Sequence, residues 1–96
     1  MIAGFGNLKC FNDGQSKSVQ VIAAEDASGG METFTFVIGD QTKLVEKNFA
    51  SNQMQPVKVN HTASSNGAPV LVQVSAANSP QTLTAMLNVD KIPGDG

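Results

Sequence analysis

The sequence predicts an all-β fold: a small antiparallel sandwich or partly open barrel of about six strands. Two observations predict it. Apolar and polar residues alternate with a period of two over most of the chain. Turn dipeptides then cut that alternation into short runs: Asp13-Gly14, Gly29-Gly30 and Asn66-Gly67. A third fact bounds the answer, since 96 residues make a single β domain, 1–96, with room for one core.

Taken in order, Leu8 to Phe11 reads as a first strand, closed by Asn12-Asp13-Gly14. Ser18 to Ala24 follows, with Val19 and Val21 on one face and Gln20 and Ile22 on the other. After the turn at Ala27 to Gly30, Thr33 to Ile38 alternates cleanly, and Phe34, Phe36 and Ile38 share the core face. Residues 40–49 are ambiguous. Val45 and Phe49 lie four apart and Asp40 is placed to cap, which favours a short helix or irregular crossover. A strand over Lys43 to Phe49 is the alternative.

The second half reads as a hairpin whose arms carry Val57, Val59, His61, Ala63 and then Val70, Val72, Val74, Ala76. Asn66-Gly67 makes its turn, with Gly67 left-handed. Pro56 and Pro69 stand at strand starts, where a missing N–H is tolerated. A last strand from Thr82 to Val89 presents Leu83, Ala85, Leu87 and Val89 on one face. The layout is thus two three-strand meanders joined by a crossover. The expected core is Phe34, Phe36, Ile38, Val57, Val59, Val70, Val72, Val74, Leu83 and Leu87. The glycine-containing start and the Pro-Gly-Asp-Gly end read as arms that reach a neighbour.

Composition narrows the function. Ser, Thr, Asn and Gln supply 29 residues and charged residues only 15%, a neutral hydrogen-bonding surface suited to virion, lectin-like or extracellular modules. All six basic residues are lysines and the net charge is −2, so the basic, arginine-forked surface of a general nucleic-acid binder is missing. No apolar run reaches the roughly 18 residues of a membrane span. The start has no basic region and no long apolar stretch, so no signal peptide is visible; a mature form with its leader removed would read the same.

Candidates for chemistry are few. His61 is the lone histidine and sits mid-strand, where a half-buried, hydrogen-bonded ring is the expectation rather than a catalytic base. Cys10 is the lone cysteine, flanked by Leu8 and Phe11, and reads as a buried thiol; a Cys10–His61 pair has no supporting motif. Glu25-Asp26, or Asp90 with Asp95, offers carboxylates for a loop calcium, but solvated turn acids are the simpler reading. Gly4-Phe5-Gly6 lacks the third glycine and the helix of a dinucleotide loop. Asn60-His61-Thr62 matches a glycosylation sequon and reads as chance. Five phenylalanines, at least two of them needed by the core, supply sugar stacking poorly. No catalytic, cofactor-binding or metal residue is assigned.

The expected function is therefore association without turnover. Flat, weakly charged strands are poorly protected against edge pairing, which implies that copies of the chain or other particle proteins cover them. A homo-oligomeric structural protein of a virus or phage particle (capsid, decoration or tail fibre) is expected, located in the virion. A small carbohydrate- or protein-binding module is the alternative. The strand-and-hairpin layout of Val57 to Val74 loosely resembles the coat proteins of small RNA phages, whose two C-terminal helices have no counterpart up to Gly96.

Overall fold

The computed structural model describes residues 1–13, 16–61 and 69–87, as seven antiparallel strands in two sheets. The strands are β1 (Ile2–Asp13), β2 (Ser16–Glu25), β3 (Gly30–Ile38), β4 (Gln41–Phe49), β5 (Met54–His61), β6 (Val70–Ala76) and β7 (Thr82–Leu87). One sheet has the order β1-β2-β5 and the other β4-β3-β6-β7. The expected all-β sandwich is therefore correct, and the described residues contain no helix. Helices of membrane-spanning length and apolarity are likewise absent from the described residues.

Residues 40–49 are the first correction. Gln41–Phe49 is a full strand that pairs with β3 from Gly30↔Phe49 to Ile38↔Gln41. Gly39 and Asp40 form the two-residue turn between them. Gly39 has φ +61°, the positive first turn position that glycine adopts without steric cost.

The two-meander layout is the second correction. β2 pairs with β5 and β3 pairs with β6, so the chain crosses between sheets after β2, β4 and β5. The arms expected to form one hairpin lie in different sheets and meet across the core. Val57 and Val59 of β5 belong to the three-stranded sheet, Val72 and Val74 of β6 to the other. With that hairpin goes the basis for the likeness to the phage coat proteins. The Asn66-Gly67 turn, Ala63, Val89, Asp90, Asp95 and the Pro-Gly-Asp-Gly end lie outside the described residues.

The core matches the period-two faces. Phe34, Phe36, Val57, Val72 and Val74 are fully buried, with Ile38 and Val59 nearly so; Val70 and Leu83 pack at the rim. The Leu87 side chain lies outside the described part. Ile2, Val19, Val21, Ala23, Phe49 and Ala76 complete the core. Phe34 stands at its centre, edge-on to Phe5 at 6.2 Å and tilted against Phe49 at 5.9 Å.

Ile2 gives the third correction, because the N-terminal segment is not a free arm. It pairs with β2 from Ile2↔Glu25 onward. The ladder shifts twice, between Ile2 and Gly4 and between Gly6 and Lys9. In the second shift Asn7 and Leu8 oppose one residue of β2, and Asn7 takes φ 55°, the left-handed conformation of a bulge.

Candidate interaction surface

The outer face of the four-stranded sheet is read from its register. One row runs Leu44, Thr35, Ser75, Thr82; the next runs Thr42, Val37, Gln73, Thr84; Leu71 and Met86 pair beyond them. Met31, Thr33, Glu46 and Asn48 fill the other end. Among these residues Glu46 is the sole charge. Four large apolar side chains stand on this face: Leu44 68% exposed, Met86 62%, Met31 58% and Leu71 44%.

A sandwich of two open sheets has four edge strands, and each presents unpaired backbone groups. Among the described residues they are β1, β5, β4 and β7. Three carry a recognisable defence against pairing. β1 is bent by its two register shifts and carries Lys9. β5 contains Pro56, a residue confined to edges because it donates no ladder bond, and Lys58. β4 points Lys43 and Lys47 inward, opposite Phe36 and Glu32. The fourth edge, β7, reads Thr-Leu-Thr-Ala-Met-Leu, with no charge, no proline and an unbroken register with β6 from Val70↔Leu87 to Ser75↔Thr82.

The polar chemistry gathers at one end of the sandwich. Glu25 ends β2 and Glu32 begins the buried run of β3, so their carboxylates meet between the sheets. The Met1 α-ammonium bridges them, 2.5 Å from Glu25 and 2.9 Å from Glu32, and reaches Asp26 at 3.1 Å. Those bonds, Glu25 foremost, hold the amine up at about 11 against the opposing effect of burial. Glu32 is raised by burial and by Glu25; for Glu25 burial also pushes upward, but Glu32, the ammonium and the Asp26 amide outweigh it and the net shift is downward. Glu25 Oε2 and Glu32 Oε1 have no hydrogen-bond partner. Asp26 is lowered to about 2, chiefly by the Ser28 hydroxyl and amide.

This end is also where the loops are knitted. The Ser79 hydroxyl donates to the Ile2 carbonyl at 2.6 Å and the Ser51 hydroxyl to the Ala27 carbonyl at 2.8 Å. Gly29 is required there: its φ is +64°, and a Cβ would meet Phe49 O and Ser51 N at 3.2 Å. Glu25 and Asp26, weighed as loop calcium ligands, thus serve the chain's own cation. Among the described residues no group of three or more histidine, cysteine or carboxylate side chains is placed to hold a metal.

The remaining sequence candidates are dispersed. Cys10 lies half-buried against the core, and burial pushes its thiol up to about 11, far from a thiolate at neutral pH. His61 ends β5 opposite Lys17, and β2 stands between it and Cys10; its side chain lies outside the described part. Gly4 and Gly6 are in β1, where their missing side chains floor an open groove of about 260 Å³ lined by Phe5, Asn7, Ile22, Ala24 and Met54. Nothing in the sequence alone marked that groove, since it needs the β1-β2-β5 order. No family model, curated protein or solved structure matches the chain.

Proposed function

We propose that this chain is a non-enzymatic, self-associating structural protein, of the kind that builds a virus or phage particle as capsid, decoration or tail component. The observation that carries the reading is the neutral outer face of the four-stranded sheet. Four strands wide, it has Glu46 as its one charge among the described residues and exposes Leu44, Leu71, Met31 and Met86. Interface centres are depleted of charge and enriched in methionine, and contiguous exposed apolar surface marks a contact site. Copies of the chain, or other particle proteins, cover this face. The low charge supports the same reading, because little repulsion opposes close repetition of the subunit.

Analytical ultracentrifugation across a hundredfold concentration range tests it. Assemblies at micromolar concentration are expected. A clean monomer throughout, with no partner recovered from the source, would sink the reading.

A second reading, a small carbohydrate- or protein-binding module, is favoured by the groove over Gly4 and Gly6. Its apolar lining of Phe5, Ile22, Ala24 and Met54 suits an apolar side chain of a peptide better than a sugar. Filling the floor with Gly6→Leu should leave the fold intact, since nothing lies within 4 Å of a Cβ there and the groove above it is open. That variant separates the two readings: it abolishes peptide binding under the second and leaves assembly intact under the first.

A further inference from the structure

We propose that β7 is the docking edge, and that its occupant is β7 of a second copy, joined antiparallel into one eight-stranded sheet. The proposal rests on the self-association reading above and places the contact between copies at this edge, which leaves the outer face to other particle proteins.

Three observations converge on this strand. Thr82–Leu87 carries no charge, proline or bulge, whereas β1, β5 and β4 each carry at least one such device. The inward residues of β7 are also incompletely covered. Leu83 and Ala85 are half-buried, while Val74 and Val72, paired to them on β6, are fully buried. A strand added at this edge completes that burial. Finally, Leu71 and Met86 form an exposed cross-strand pair beside the edge.

The choice of a second copy follows from the contrast among edges. Pairing of β7 with β1, β5 or β4 of another molecule meets a bulge, a proline or inward lysines. Pairing of β7 with itself meets none, and its lack of charge means that no like charges face each other across the two-fold. Directly opposed residues in an antiparallel pair point to the same face. The two-fold axis therefore lies between the two copies of one residue, Thr84 or Ala85, which face each other directly. Either position puts Thr82, Thr84 and Met86 of both copies on one outer face, doubling the neutral surface. Leu83 and Ala85 of both copies then lie together on the core side. Six residues of edge make a small contact, so the pair is weak and concentration-dependent unless face contacts reinforce it.

Two lysine variants separate edge from face. Thr84 and Thr42 sit in the same outer-face row at opposite margins, on β7 and β4. Both are exposed, so neither Thr84→Lys nor Thr42→Lys disturbs the core. Sedimentation of the wild type, Thr84→Lys and Thr42→Lys at equal concentrations is the experiment. A shift to monomer in Thr84→Lys alone, with at least a tenfold weaker dimer constant, is expected. Loss of association in both variants would place the contact on the face and overturn the proposal, as would loss in neither. A monomeric wild type would overturn the self-association reading as well. Should Thr84→Lys lose its β-type far-UV spectrum, wild-type amide exchange decides instead: amides of Thr82–Leu87 must gain protection with concentration, and unchanged protection overturns the proposal.

Discussion

β1 and β7 lie on the same side of the sandwich, linked where Ser79 bonds the Ile2 carbonyl, and both are sheet edges. They handle that position in opposite ways. β1 is 12 residues long, shifted twice in register and anchored by Ile2, Phe5 and the Met1 ammonium. β7 is 6 residues long, regular, uncharged and half-covered. Bulges twist an edge out of the plane that another strand needs, so β1 is closed to partners although it is the longer edge. If β7 is the docking edge proposed above, the absence of a defence and not the length of the edge decides where this chain associates.

The largest expected effect breaks β1's side of this comparison. Phe34 touches Phe5 of β1 and Phe49 of β4 and is fully buried, so Phe34→Ala should cost about 3–5 kcal/mol in denaturant unfolding. Amides of β1 should lose exchange protection along with those of the sheet it packs on. Val72 lies under β7, paired with Ala85, and Val72→Ala should cost about 2 kcal/mol, at the lower end for a fully buried side chain. A cost near zero in either variant would mean that the core is not the one described.

Deleting Asn7 sharpens the contrast. Asn7 is the extra residue of the second bulge, and its left-handed backbone costs on the order of 1 kcal/mol. Its removal should bring Leu8 opposite Val21, straighten β1 and make that edge competent to pair. Light scattering should show more association than in the wild type; an unchanged or lower level would remove the bulge from the list of defences.

The smallest effect is the pH dependence. The amine rises from 8.0 to about 11 on folding, so its stabilising contribution is fully present below pH 8 and is lost as pH climbs through 11. Glu32, also raised, contributes below the ordinary carboxylate value of 4.5 and loses that contribution as pH rises above it, which offsets part of the gain from Asp26 and Glu25. Asp26, lowered from 3.8 to about 2, contributes above its ordinary range and is lost as pH falls, and Glu25 follows it. Melting temperature should therefore peak between roughly pH 5 and 8 and decline on both sides. Acetylating the Met1 amine should flatten the alkaline decline. Dimerisation through β7, which has no titratable side chain, should stay constant over the same range.

Period-two patterning made the strands and their faces legible, and Val19, Val21, Phe34, Phe36, Val57, Val72 and Val74 all point where alternation put them. It could not choose partners, because a strand's inward face looks the same whether its neighbour lies beside it or across the core. The sequence therefore reads the arms around Asn66-Gly67 as one sheet, where the structure separates them. Residues 40–49 leave helix and strand open, because a spacing of four, Val45 to Phe49, satisfies both one helical turn and two strand repeats; the structure takes the strand. The start of β1 was missed because Gly4, Gly6 and two extra residues break the alternation. The neutrality of Thr82–Leu87 was visible in the sequence. That it forms an edge was not, since edges are defined by pairing.

Amide hydrogen exchange on the unmodified chain, read strand by strand at two concentrations a hundredfold apart, tests the central claim most directly. In an edge strand, amides that point away from the sheet exchange freely unless a partner covers them. Protection of Thr82–Leu87 should rise with concentration, while the outward amides of β1 stay unchanged. Protection that rises on β1, or on neither strand, would contradict the account.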